Sequence, residues 1–167
     1  MTDLETALTD LSRAWESPGQ PEATFVAAGN AFQGLVGYRL YTITHALPGS
    51  AEVERVHSTD TAAYPVGGRK PITPNAFRDR LFGEKRPFLG QRPEDFAPYF
   101  PDTPFIVSLG LGAVINLPII FDDKALGSVN LLDREGAYNE GHLEPAMRIT
   151  RFIIPALLAR SSRSISS

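Results

Sequence analysis

The sequence predicts one α+β domain: an antiparallel sheet with terminal helices on one face and an irregular insertion over the other. Three observations predict it. Helical apolar spacing is confined to the two ends of the chain, strand-like runs form two hairpins, and prolines crowd the stretch between those hairpins. A chain of 167 residues suits one substantial core and is too short for two. With 43% hydrophobic and 21% charged residues, it can bury that core rather than stay disordered.

Leu4, Leu8, Leu11 and Trp15 recur at helical spacing and predict a first helix with those four on one face. Ser17-Pro18-Gly19 stops it, because neither proline nor glycine extends a helix comfortably. A second helix is expected from Pro21 to about Gln33, burying Phe25, Ala28 and Phe32, with the proline suited to the first turn. Residues 37–46, rich in Tyr, Ile, Leu and Thr, read as a strand. The turn Leu47-Pro48-Gly49-Ser50 then leads to a second strand over 51–58, making a hairpin.

Residues 59–104 hold eight of the fourteen prolines, so this stretch is not regular throughout. Short helices near Asn75–Leu81 and Pro93–Tyr99 are expected to flank a strand over Pro87–Gly90. Connections of this length inside a compact domain are usually functional or mobile. A second hairpin follows: Ala113–Ile120, a turn at Asp122-Asp123-Lys124, and a return over Ala125–Leu132. Its nearly continuous apolar run implies burial on both faces. Pro118 marks an irregular or locally unpaired point. The closing helix is capped by Asn139, with Tyr138 and Leu143 placed as a hydrophobic staple. Its apolar stripe is Leu143, Met147, Ile154 and Leu158, and Pro145 and Pro155 should bend it. The domain is expected to span 1–160, with 161–167 a disordered tail.

Composition excludes several classes of function. There are no cysteines, which removes disulfides, thiolate metal sites and cysteine nucleophiles and fits a reducing compartment. A net charge of −3 gives no electrostatic reason for a nucleic-acid or anionic-membrane partner. The acidic start Met1-Thr2-Asp3-Leu4-Glu5 is not a secretory signal. The longest apolar runs, such as 113–121, are half what a bilayer crossing needs. A cytoplasmic location is expected.

Few residues point to chemistry. His45, His57 and His142 are not at metal-ligand spacing, and ordinary polar roles are expected, a lone haem ligand being the alternative. Ser108-Leu109-Gly110-Leu111-Gly112 lacks the glycine–serine–glycine order of a nucleophile elbow and the third glycine of a dinucleotide fingerprint; it reads as a tight lead-in to a strand. Gly67-Gly68-Arg69-Lys70 is either a solvated loop or a set of donors and charges for an anion. Asn116 and Asn130 each interrupt an aliphatic strand of the same hairpin, and a buried amide without partners costs about 1–3 kcal/mol. They either satisfy backbone at a bulge near Pro118 or point into a pocket, depending on the register. Phe77, Phe82, Phe88, Phe96, Tyr99, Phe100 and Phe105 supply a small core for the insertion, or the walls of an apolar pocket. Asp122-Asp123 is an exposed turn rather than an acid–base couple.

The element order, together with Gly110-Leu111-Gly112-Ala113-Val114-Ile115-Asn116-Leu117-Pro118-Ile119 and Lys124-Ala125-Leu126-Gly127-Ser128-Val129-Asn130-Leu131, resembles the GAF domain family. A small residue precedes a strand ending in proline plus an aliphatic, then come a short turn, an aliphatic-glycine strand and a closing helix. The resemblance spans roughly Pro21–Ala159 and is close over Leu109–Leu158. It implies a pocket between sheet and insertion and a homodimer formed through the terminal helices. Gly127 suits a point where backbone or ligand approaches the strand closely.

The family includes cyclic-nucleotide, bilin and haem sensors and a reductase of free methionine sulfoxide. The reductase and bilin attachment need cysteines, and the Asn-Lys-x-Phe…Asp-Glu signature of cyclic-nucleotide binders is missing. The cofactor therefore stays unknown. The resemblance implies a non-catalytic sensor of an unidentified small molecule, working with a separate signalling protein. The ligand-binding residues expected are Tyr64, Arg69, Lys70, Phe88, Phe105, Asn116, Ser128 and Asn130, with no catalytic or metal-binding set. Two alternatives are an interaction and dimerisation module whose pocket is filled by its own side chains, and an enzyme acting in the same pocket.

Overall fold

Both terminal stripes of apolar residues become helices that cover one side of a sheet. The structure, a computed structural model, describes residues 3–166. Helix α1 (Leu4–Arg13) starts at Asp3, whose carboxylate accepts from the Thr6 amide at 2.8 Å, satisfying a donor that the first turn leaves free. It buries Leu8 and Leu11. Trp15 leaves the stripe: it sits in a 3₁₀ turn (Ala14–Glu16), 43% exposed, stacked on Phe152 at 5.3 Å. Helix α2 (Glu22–Leu35) buries Phe25, Ala28 and Phe32 completely.

The sheet has six antiparallel strands: β1 (Leu40–Ala46), β2 (Glu52–Ser58), β3 (Arg69–Pro71), β4 (Phe88–Gly90), β5 (Ala113–Phe121) and β6 (Lys124–Asp133). Their spatial order is β3-β2-β1-β6-β5-β4. The β5–β6 hairpin turns on Asp122 and Asp123, both at positive φ (54° and 61°), the two-residue turn whose twist matches the flanking strands. β4 pairs with β5 only over Val114–Asn116, so Pro118, with no N–H to give, lies beyond the reach of that edge strand. Gly127 meets the expectation of close approach: a Cβ there would stand 2.0 Å from the Thr44 carbonyl oxygen of β1.

Alternation along the strands divides the sheet into two faces. Tyr41, Ile43, Ile115, Leu117, Val129 and Leu131 face the terminal helices and form the main core with Phe25, Phe32 and Ile149. Leu40, Val114 and Leu132 face the insertion and join Phe96, Ile106 and Leu111 in a smaller core. Strand β2 changes its alternation midway. Its pairing with β1 jumps from Thr44↔Arg55 to Ile43↔His57, leaving Val56 as the extra residue of a bulge. Arg55 therefore lies on the insertion face, whereas Val56 and His57 both lie on the helix face, His57 against Tyr41 and Phe25.

Proline positions divide the closing helix. Asn139 caps a 3₁₀ turn (Glu140–His142) leading into α6 (Leu143–Arg151). Pro145 falls in the first turn of α6, where its missing N–H costs nothing. Pro155 falls at the start of α7 (Ile154–Ser166), and the helix breaks before it at Phe152-Ile153. Residues 161–166 continue α7, in place of the disordered tail expected over 161–167. Ser161 is held there by His45, and Arg163 donates to the Gln20 carbonyl at 2.8 Å; Ser167 lies outside the described residues. The insertion carries α3 (Ala76–Arg78), continued by a wide turn over Asp79–Gly83, then α4 (Pro93–Phe96) and α5 (Thr103–Ser108). Neither β3 nor α5 is anticipated from the sequence.

Candidate functional site

Between the insertion and its face of the sheet lies a cavity of about 610 Å³, within the usual size for a small-molecule site. A second hollow of about 430 Å³ between α1 and α6 is lined by Glu5, Arg148 and Arg151, of which Arg148 and Glu5 pair with each other at 3.0 Å.

The cavity floor is a polar row crossing three strands. The register sets Thr42 beside Asn130 and Asn130 beside Asn116, with Thr44 beside Ser128, so all five point to the same side. Asn116 Nδ2 donates to Asn130 Oδ1 at 2.7 Å, Ser128 Oγ donates to the same oxygen at 3.1 Å, and Asn130 Nδ2 donates to Thr42 Oγ1 at 3.1 Å. Thr44 and Ser128 share a hydrogen bond of 2.7 Å. One atom of the row is left over. Asn116 Oδ1 is buried without a partner in a residue only 4% exposed. Phe77, Tyr99 and Phe100 of the insertion supply aromatic wall. Phe77 packs edge-on against Phe88 and Phe100, both at 5.1 Å.

Four charged residues line the cavity: Arg55, Lys70, Arg78 and Asp102. The Tyr64 hydroxyl donates to Asp102 Oδ2 at 2.8 Å, tying the start of the insertion to α5. Burial, then that hydrogen bond and the Asp102 charge, raise the pKa of Tyr64 well above a tyrosine's ordinary value. Arg55 lies over the Tyr64 ring at 4.9 Å and donates to the Pro65 carbonyl at 3.2 Å, but its buried Nε has no partner. Arg78 lies over Phe77 and Phe82 at 5.5 and 5.4 Å. Burial lowers the pKa of both arginines, which remain cationic given how high a guanidinium starts. Among the described residues, no carboxylate stands within ion-pair distance of Arg55, Lys70 or Arg78.

Of the residues expected at a ligand, Tyr64, Lys70, Asn116, Ser128 and Asn130 line this one cavity. Arg69, Phe88 and Phe105 do not. Arg69 and Lys70 are neighbours on β3, so they face opposite ways; Lys70 sits opposite Val53, while Arg69 sits opposite Glu54 and pairs with it at 3.5 Å. Phe88 lies behind Phe77. Phe105 is 44% exposed and packs on the far side of Tyr64 at 5.7 Å. Sequence reasoning missed Arg55, Arg78, Asp102, Thr42 and Thr44. The alternating Thr42 and Thr44 of Tyr41-Thr42-Ile43-Thr44 were a usable signal for a polar face.

The histidines stay outside the cavity. His45 is buried on the helix face, with Arg160 at 3.1 Å from Nδ1 and Ser161 Oγ at 3.1 Å from Nε2; Arg160 also pairs with Glu54. Arginine can only donate, so Nδ1 accepts and Nε2 carries the proton toward Ser161. That is the reverse of the polarity that activates a serine nucleophile. Burial, helped by Arg160, lowers the pKa of His45 to about 4. Among the described residues, no three His, Cys, Asp or Glu side chains gather as a metal site, and no helix is long and apolar enough to cross a membrane.

Solved structures share this architecture. The chromophore-binding domain of an unusual bacteriophytochrome from R. palustris superposes with a TM-score of 0.69 at 8% identity, covering 96% of this chain and 61% of that one. A domain of a putative two-component sensor histidine kinase from Sinorhizobium meliloti 1021 gives 0.63 at 18% identity, covering 89% and 99%. The GAF domain of a two-component sensor histidine kinase from Bacillus halodurans gives 0.69 at 11% identity, covering 86% and 97%. The chain thus has the GAF fold, and it spans about three-fifths of the bacteriophytochrome chain. No protein-family model and no curated protein matches the sequence.

Proposed function

We propose that this chain is a non-catalytic, small-molecule-binding sensory domain, and that the cavity over the Thr42–Asn130–Asn116 row is its ligand site. The observation that carries the reading is the cavity itself, about 610 Å³ of space over a floor of hydrogen-bonded amides and hydroxyls. A purely structural core would fill that space with its own side chains, because protein interiors pack closely. The open cavity supports the sensor over the self-filled interaction module. Against the enzyme reading, the cavity's hydroxyl–carboxylate pair is Tyr64–Asp102, and burial together with that carboxylate keeps the Tyr64 hydroxyl protonated rather than poised as a nucleophile. Under this reading the domain forms a homodimer through its terminal helices and passes its signal to a separate protein.

Native mass spectrometry of gently purified protein tests the proposal, with identification of anything released on denaturation. A stoichiometric small molecule, lost from an Asn130→Leu variant that still folds, is the expected result. Protein that stays bare against a broad metabolite collection would favour the interaction module instead.

A further inference from the structure

His45 is a titratable side chain only 2% exposed, and both nitrogens of its ring are engaged by α7. Arg160 donates to Nδ1. Nε2–H donates to the Ser161 hydroxyl, whose own hydrogen goes to the Leu157 carbonyl at 3.1 Å. This chain of bonds needs a neutral imidazole. A second proton would land on Nδ1 and set N–H against N–H across the 3.1 Å contact with Arg160.

The charges around the ring leave that proton no good partner. From α7 comes Arg160, and from β2 comes Glu54, which is opposite His45 in the register. On the other side β6 presents Gly127, which carries no charge. The Glu54 carboxylate is already shared: one oxygen accepts from Arg160, and the other pairs with Arg69 of β3 at 3.5 Å. A charged His45 would make three cations around one carboxylate whose side chain is only 12% exposed. Like charges so placed and so little hydrated repel strongly.

The fold decides which group gives way. His45 cannot retreat, because β1 is paired on both sides, to β2 and to β6. Releasing Arg69 would leave the clash at Nδ1 intact. Helix α7 is the movable member. It packs through Ile153, Ala156 and Leu157, whereas residues 158–163 are half-buried or exposed. The polar grip of Arg160 and Ser161 on His45 and Glu54 falls just beyond that last buried leucine.

We infer that residues 158–166 of α7 form an acid-released latch: protonation of His45 ejects Arg160 and Ser161 from the sheet edge, and this part of the helix lifts away while the sheet stays folded. The sign follows from burial first and the Arg160 charge second. With the latch closed, His45 takes its proton only near pH 4; with the latch open, it does so near its ordinary 6.5. The open form therefore binds more protons across that window. Its equilibrium constant for opening should rise about twentyfold between pH 7 and pH 5.

Hydrogen–deuterium exchange of the full chain tests this, with rates corrected for the intrinsic effect of pH. The opening constant of amides 158–166 should rise about twentyfold from pH 7 to pH 5, while amides of β1, β5 and β6 stay far better protected. Low urea should leave exchange of 158–166 unchanged, as for a local opening that exposes little surface. His45→Gln should abolish the rise. Arg160→Gln, which alters a helix side chain and leaves the core untouched, should give fast exchange of 158–166 at both pH values. Exchange of 158–166 that matches the core strands at both pH values would overturn the inference. So would a flat pH response in the parent, a twentyfold rise surviving in folded His45→Gln, or full protection in Arg160→Gln.

Discussion

On the helix side of the sheet, Tyr41, Ile43, Ile115, Leu117, Val129 and Leu131 are sealed completely from solvent. On the other side, the residues between them are Thr42, Thr44, Asn116, Ser128 and Asn130, which hydrogen-bond to one another beneath an open cavity. The same three strands, and residues one step apart, therefore serve different ends. The helix side holds the fold together by burial and close packing. The cavity side gives up part of that burial and keeps polar capacity in reserve, including an oxygen with nothing to bond.

If this division is right, the largest effect comes from the helix side. Leu117→Ala should cost about 3–4 kcal/mol, combining lost transfer energy with the cavity left behind, measured by urea denaturation. A cost under about 1 kcal/mol would show that this side is not closely packed. The next effect belongs to His45, also on the helix side. Folded, it takes up its proton only near pH 4; unfolded, it does so near its ordinary 6.5. The unfolded chain therefore binds more protons across that window, and stability falls as pH drops from about 6.5 to about 4. The loss at pH 5 should be about 1–2 kcal/mol, read from the difference between the pH profiles of the parent and His45→Gln. Superimposable profiles would remove the assignment. The smallest effect is expected on the cavity side. Asn116→Leu should change stability by no more than about 1 kcal/mol, since it removes an orphan acceptor along with one hydrogen bond and leaves Asn130 Oδ1 to Ser128. A loss matching that of Leu117→Ala would erase the distinction between the faces.

The central hairpin was legible because its signals are local. Two left-handed turn residues, a proline and a glycine forced by the Thr44 carbonyl all lie within residues 118–127. The amides of Asn116 and Asn130 stood out for the same reason, as polar breaks in aliphatic strands. What escaped depends on contacts distant in sequence. Residues 51–58 read only as the second strand of a hairpin, and nothing local reveals that Arg55 turns toward residues 64 and 65. Arg69-Lys70-Pro71, directly after Gly67-Gly68, looks like loop until β2 offers it a partner. Arg69 and Lys70 were consequently grouped as one cationic feature, although a strand sends them to opposite sides. Asp102 and Tyr64 are 38 residues apart, a separation at which pattern carries no information.

The bulge at Val56 bears on how relatives of this chain should be compared. Upstream of it, odd-numbered β2 residues look into the cavity; from His57 onward they look into the helix core. A gap of one placed on the wrong side of Val56 would match cavity positions with core positions for the rest of the strand. It would then score an arginine as interchangeable with the half-buried His57. Insertions and deletions within β2 are thus not neutral spacers: each one reassigns which side of the sheet, cavity or helix core, the following side chains face.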